Sequence, residues 1–123
     1  MKTSINYPDI FCQRLKAARI SKGLSQKSLG ILAGIDEFVA STRINRYEKG
    51  VHQANIEIAQ QLATALDVPL AYFYMVDDDL AELTLSWVKL TEDEKTQVLA
   101  LVKAKSSLMP GEAKSPQPPS RAP

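Results

Sequence analysis

RLKAARISKGLSQKSLGILAG, residues 14–34, holds the end of one helix and the whole of a second. Leu15 and Ala18 follow Phe11 at helical spacing, so one face of the first helix is apolar. Gly23 is a natural stop, because glycine takes the left-handed backbone of a helix C-terminus without penalty. Leu24-Ser25 restarts the chain. Ser25 is a good N-cap, and Leu24 is placed to staple onto Leu29. The second helix is short and ends at Gly34, where a tight left-handed turn needs glycine. Gly30, inside it, lets two helices cross closely, since a larger side chain would hold them apart.

Working outward, Pro8 and Asp9 open the first helix, because proline suits an early helical position and an acid suits the first turn. Downstream, a third helix runs toward Tyr47-Glu48 and stops at Gly50. Ile44 and Tyr47, three apart, pin it to the core and leave its other side free. Asn55 caps a fourth helix with Ala59, Leu62, Ala63 and Leu66 on one face. Val68-Pro69 begins a brief helical turn through Tyr74. After Asp77-Asp78-Asp79 another helix aligns Leu80, Leu83, Trp87 and Val88. Thr91-x-x-Glu94 is a capping box for a last helix, which runs to about Lys105 with Val98, Leu101 and Val102 as its stripe. From Ser106 onward proline, serine and glutamine dominate, a composition that cannot bury apolar surface. The pattern predicts an all-α chain: a five-helix domain over 9–75, a helical pair over 76–105 and a disordered tail over 106–123.

Composition bounds the function. The 123 residues make about one domain, with 45% hydrophobic and 24% charged residues, as in an ordinary soluble protein. Cys12 is the only cysteine and His52 the only histidine, so an internal disulfide, a cysteine-rich metal site and a multi-histidine zinc site are excluded. Cys12 reads as a small core residue, and the Asp77–Asp79 run as a solvated helix start rather than a metal site. No stretch approaches the ~18 apolar residues of a membrane span, and Met1–Pro8 lacks the apolar run of a signal peptide. No nucleophile–base pair or metal cluster stands out. The chain is therefore expected to be cytoplasmic, not an enzyme, and without cofactor or metal. The net charge is +1 overall, but residues 1–60 carry +4 and residues 61–105 carry −4. The first half suits a polyanion and the second would repel one.

The runs RLKAARISKGLSQKSLGILAG, INRYEKG and IAQQLATALDVPLAYFY resemble the phage-repressor-like helix-turn-helix family, also called the xenobiotic response element family. The resemblance covers roughly residues 9–75. It implies a five-helix all-α domain whose third helix enters the ~12 Å wide major groove of DNA. It also implies that Gln26 holds the DNA backbone, that the exposed face of the third helix reads bases, and that Arg19 and Glu48 form an internal salt bridge. On that face Arg43 and Asn45 are the expected base readers, since arginine suits guanine and asparagine suits adenine. Arg46 stands beside them. Ser41 and Thr42 either bond phosphate or cap the helix. Lys49, His52 and Gln53, in the loop after that helix, either contact phosphate or form a plain surface loop. One departure matters: Ile35–Ser41 is about one helical turn longer than the family's usual link. Either the turn is enlarged or the third helix gains a turn; an enlarged turn is favoured, with Ser41 near the helix start.

The expected function is sequence-specific binding of double-stranded DNA by a homodimeric repressor of transcription. Residues 80–105 are the expected dimerisation unit, with Trp87 as an interface or core anchor. The alternative keeps the fold and makes the chain a protein-interaction regulator, such as an antitoxin or anti-repressor partner, acting through the same residues.

Overall fold

The computed structural model describes residues 5–108. Its helices are α1 (Tyr7–Ser21), α2 (Gln26–Leu32), α3 (Ala40–Lys49), α4 (Ile56–Leu66), α5 (Asp78–Trp87) and α6 (Glu92–Leu108), with a 3-10 turn at Leu70–Tyr74. There is no strand among the described residues. Five helices start where a side-chain oxygen accepts from a free amide of the first turn. Asn6, Ser25, Asn55, Asp77 and Thr91 take the amides of Asp9, Ser28, Ile58, Leu80 and Glu94 at 3.0, 2.9, 2.8, 3.0 and 3.1 Å. Glu94 returns the bond to the Thr91 amide at 2.9 Å, completing the capping box. Only α3 lacks such a cap, its preceding residue being Val39. Gly23, Gly34 and Gly50 carry positive φ angles of 75°, 89° and 75° at the ends of α1, α2 and α3.

The core gathers one face of each helix in the first part of the chain. Phe11, Leu15 and Ala18 of α1 meet Leu29 of α2, Ile44 and Tyr47 of α3, Leu62 and Leu66 of α4, and Tyr72 and Phe73 of the 3-10 turn. Each large apolar side chain fully buried here contributes about 1.5–3 kcal/mol. The α2–α3 crossing is tight. A Cβ added at Gly30 would lie 2.6 Å from the Ala40 Cβ and 3.0 Å from its Cα, so glycine is required by contact and not by conformation.

Four details differ from the sequence reading. First, α1 begins at Tyr7 and is capped by Asn6, ahead of the Pro8 start. Second, α6 continues past Lys105 to Leu108, so residues 106–108 are helical; Ser106 Oγ donates to the Val102 carbonyl at 2.7 Å, giving a polar residue a place inside the last turn. The expected disorder of 109–123 lies outside the described residues. Third, α5 turns Ala81 and Leu85 toward the core, while Leu80, Leu83 and Val88 are exposed. Fourth, Cys12 is only half-buried, its thiol donating to the Tyr47 carbonyl at 3.2 Å.

Arg14 fastens α1 to the segment leading into α5. Its guanidinium donates twice to the Met75 carbonyl, at 2.7 and 3.0 Å, and lies 5.7 Å over the Tyr72 ring. The chain divides into two compact units on either side of Val88–Lys89, so α5 belongs to the first and α6 to the second. None of residues 92–107 of α6 is buried: Val98 is half-buried, and Leu99, Leu101 and Val102 are exposed.

Candidate nucleic-acid interface

Ala40, Ile44 and Tyr47 root α3 in the core. At about 100° per residue, the side opposite them carries Thr42, Arg46 and Lys49, and all three are exposed, as is Ser41. Neither Arg46 nor Lys49 makes an ion pair among the described residues. Asn45 shares that side but is half-buried, and Arg43 lies on a flank and is half-buried too. Arg43 is held by the core aromatic beneath it: its Nη2 donates to the Tyr47 hydroxyl at 2.6 Å, and its guanidinium sits 5.7 Å over the ring. The tie spans i to i+4, the spacing at which side chains on one helix meet.

Glu48 is the only acid on α3, and it faces away from solvent. Its side chain is 3% exposed and that of Arg19 is 13% exposed. Arg19 Nε and Nη2 grip the two carboxylate oxygens at 2.6 and 3.1 Å, while Nη1 donates to the Leu24 carbonyl at 2.9 Å. This fork-on-fork geometry is the strong form of an ion pair. The negative charge is thus neutralised inside the fold instead of repelling phosphate. Gln26 joins the cluster, its Nε2 donating to Glu48 Oε1 at 3.1 Å. Asn45 Nδ2 reaches back to Gln26 Oε1 at 3.5 Å. The start of α2 and the middle of α3 are therefore tied through one amide. One N–H of Gln26 remains available to an outside acceptor.

The long link before α3 is an enlarged turn, not an extension of the helix. Ile35 is buried, and its amide closes on the Gly30 carbonyl at 2.9 Å. Asp36 then folds Asp36–Val39 on itself: its Oδ1 accepts from the Phe38 amide at 2.8 Å and its carbonyl from the Val39 amide at 3.0 Å. Ser41 consequently falls in the first turn of α3. Phe38, at the tip, is 87% exposed. Beyond α3, His52 and Gln53 are exposed in the loop that follows Gly50. Sequence reasoning missed the Gln26–Glu48 link and the Arg43–Tyr47 tie. The second had a signal in the arginine–tyrosine spacing; the first joins separate helices and had none.

Among the described residues no group of three or more His, Cys, Asp or Glu is arranged to hold a metal ion. None of their helices is long and apolar enough to cross a membrane.

The comparisons agree with this geometry. A helix-turn-helix family model matches residues 15–73. The chain is also similar to the crystal structure of transcriptional regulator BswR, with 45% identity and a TM-score of 0.72, over 83% of this chain and 98% of that one. No curated protein sequence matches. The fold and the rooted third helix define a DNA-binding regulator of transcription. The chain belongs to the helix-turn-helix family of transcriptional regulators.

Proposed function

We propose that the chain is a sequence-specific repressor that binds double-stranded DNA as a homodimer, with α3 in the major groove. The observation that carries this reading is the division of α3. Its apolar residues are spent on the core, its single acid is neutralised by Arg19, and Ser41, Thr42, Arg46 and Lys49 are left exposed. Arg46 and Asn45 read base edges in this proposal. Arg43 joins them once DNA competes for its bond to Tyr47. Gln26, held by Glu48, presents its remaining N–H to a phosphate, while Ser41, Thr42 and Lys49 position the helix on the backbone. Repression follows from occupancy of the site.

The homodimer is supported by apolar surface that the single chain leaves open. Leu80 and Leu83 on α5 are 47% and 53% exposed, and Leu99, Leu101 and Val102 on α6 are 46%, 57% and 51% exposed. A two-fold partner would cover such stripes and present a second α3 to a second half-site about 34–36 Å away. The same stripes favour the second reading, a regulator that captures another protein. Selection of duplexes from a random pool, then titration against the winner and a scrambled control at several salt concentrations, tests the proposal. Expected are a palindromic winner and a preference of at least about 10³ at physiological salt. Equal binding to both duplexes would reject sequence-specific recognition. Loss of transcription from a promoter overlapping the winning site is the expected sign of repression, and a gain would reverse it.

A further inference from the structure

A cavity of about 230 Å³ opens between the start of α1 and the end of α3. Tyr7, Phe11, Tyr47 and Tyr74 supply aromatic walls, and His52 and Gln53 supply polar rims. No Lys, Arg, Asp or Glu lines it. Phe11 is fixed by ring contacts with Phe73 at 5.0 Å and Tyr74 at 5.7 Å, so one wall is preformed. Partial burial pushes the Tyr74 hydroxyl and the Cys12 thiol up from their ordinary values. Aromatic walls with a few polar groups and no charge suit a flat, uncharged molecule of one or two rings.

The cavity is wired to the recognition helix. Tyr47 lines the cavity, and its hydroxyl accepts from Arg43 at 2.6 Å. Its carbonyl accepts from the Cys12 thiol, and Gly50, the left-handed end of α3, also lines the cavity. A molecule seated in the cavity would therefore touch the residue that holds Arg43.

We propose that this cavity is a binding site for a small neutral aromatic compound, and that its occupancy is relayed to Arg43 through Tyr47. The relay rests on the DNA-binding reading above; the binding site itself does not. Labelled full-length protein is titrated with indole, p-cresol and benzamide as neutral probes and with benzoate as a charged one, followed by amide NMR. At least one neutral probe is expected to give saturable shifts at Cys12, Tyr47, Gly50 and His52–Ala54, with a Kd at or below about 5 mM. Benzoate is expected to bind at least about tenfold more weakly, having to shed water from its charge. Ala54→Leu, which narrows the cavity, should abolish the shifts. Absence of saturable shifts with all three neutral probes overturns the proposal. So does equal binding of benzoate, which needs no variant to interpret.

For the relay, the saturating probe should change the Kd for the selected duplex by at least about threefold, and the duplex should change the probe's Kd by the same factor. Tyr47→Phe keeps the ring and drops the hydroxyl, so it should still bind the probe and lose most of that change. Probe binding with an unchanged DNA Kd overturns the relay. A chain that prefers no duplex sinks the DNA-binding reading, and the NMR titration still decides the cavity.

Discussion

Arg19 and Glu48 show how a residue pair can matter to DNA binding without touching DNA. Removing one partner of a buried, hydrogen-bonded pair leaves an uncompensated charge and costs about 3–5 kcal/mol. Arg19→Ala should therefore lower the melting temperature sharply, whereas Arg46→Ala, at an exposed position, should leave it within a degree or two of the parent's. Binding should separate the exposed residues in turn. Arg46→Ala or Asn45→Ala should lose about 1–3 kcal/mol of discrimination between the selected and scrambled duplexes. Gln26→Ala should weaken both duplexes about equally, because phosphates are alike in every sequence, and should leave the salt slope unchanged. A Gln26→Ala protein that loses only specific binding would move that residue from positioning to reading. Cys12 gives a pH test. Desolvation first, then the nearby Asp9 and Glu48 charges, push its thiol up from the ordinary value of 9.0. The unfolded chain then sheds that proton before the folded one does. Stability present below pH 9.0 should fall as pH rises toward the folded value. Thermal melts of parent and Cys12→Ser between about pH 8 and 10.5 check this, with a steeper decline expected for the parent.

At the level of elements, the α2–α3 crossing is the critical joint. Gly30→Ala should cost about 1–3 kcal/mol by overpacking against Ala40. Ala40→Gly in the same chain should recover part of that loss and not all, since the Ala40 Cα and carbonyl oxygen lie 3.0 and 3.1 Å from the added carbon. Denaturant melts of the two single variants and the double variant measure the coupling. Ser25, Asn55 and the Thr91–Glu94 box were legible in the sequence because each depends on neighbours a few positions away; the small residue at 30 was legible too, although its partner Ala40 lies ten positions on in the next helix. The start of α3 was harder to read. Val39 offers no side-chain cap, and the closure at Asp36 carries no strong turn signature. Arg14 could not be assigned its role at all, since its acceptor at Met75 lies 61 residues away. Nor could the cavity, whose walls come from three separate stretches of chain. The stripe of α5 did not reveal that small Ala81 faces the core while the larger leucines at 80 and 83 stay exposed.

For the whole molecule, the open stripe on α6 carries the clearest prediction. Leu101→Asp with Val102→Asp should shift the sedimenting species from dimer to monomer at tens of micromolar without unfolding the first unit, which holds its own core. Operator affinity should fall with it, as two half-sites bound together become two bound singly. A variant that sediments as the parent does would place the interface elsewhere, with Leu80 and Leu83 the next surface to test. Residues 109–123 carry Lys114 and Arg121 against Glu112, too little charge for much phosphate contact. Truncation after Leu108 should therefore leave the DNA Kd within about twofold; a tenfold loss would give that segment a role in binding.

The strict division of α3 between anchoring and outward residues has a further consequence. Thr42, Arg46 and Lys49 bear none of the core's weight, so they form a cassette whose content the scaffold does not inspect. A library randomised at those positions alone should consist largely of folded proteins, and its members should differ in preferred sequence far more than in melting temperature. New specificities are then reachable one exchange at a time, through intermediates that all remain folded.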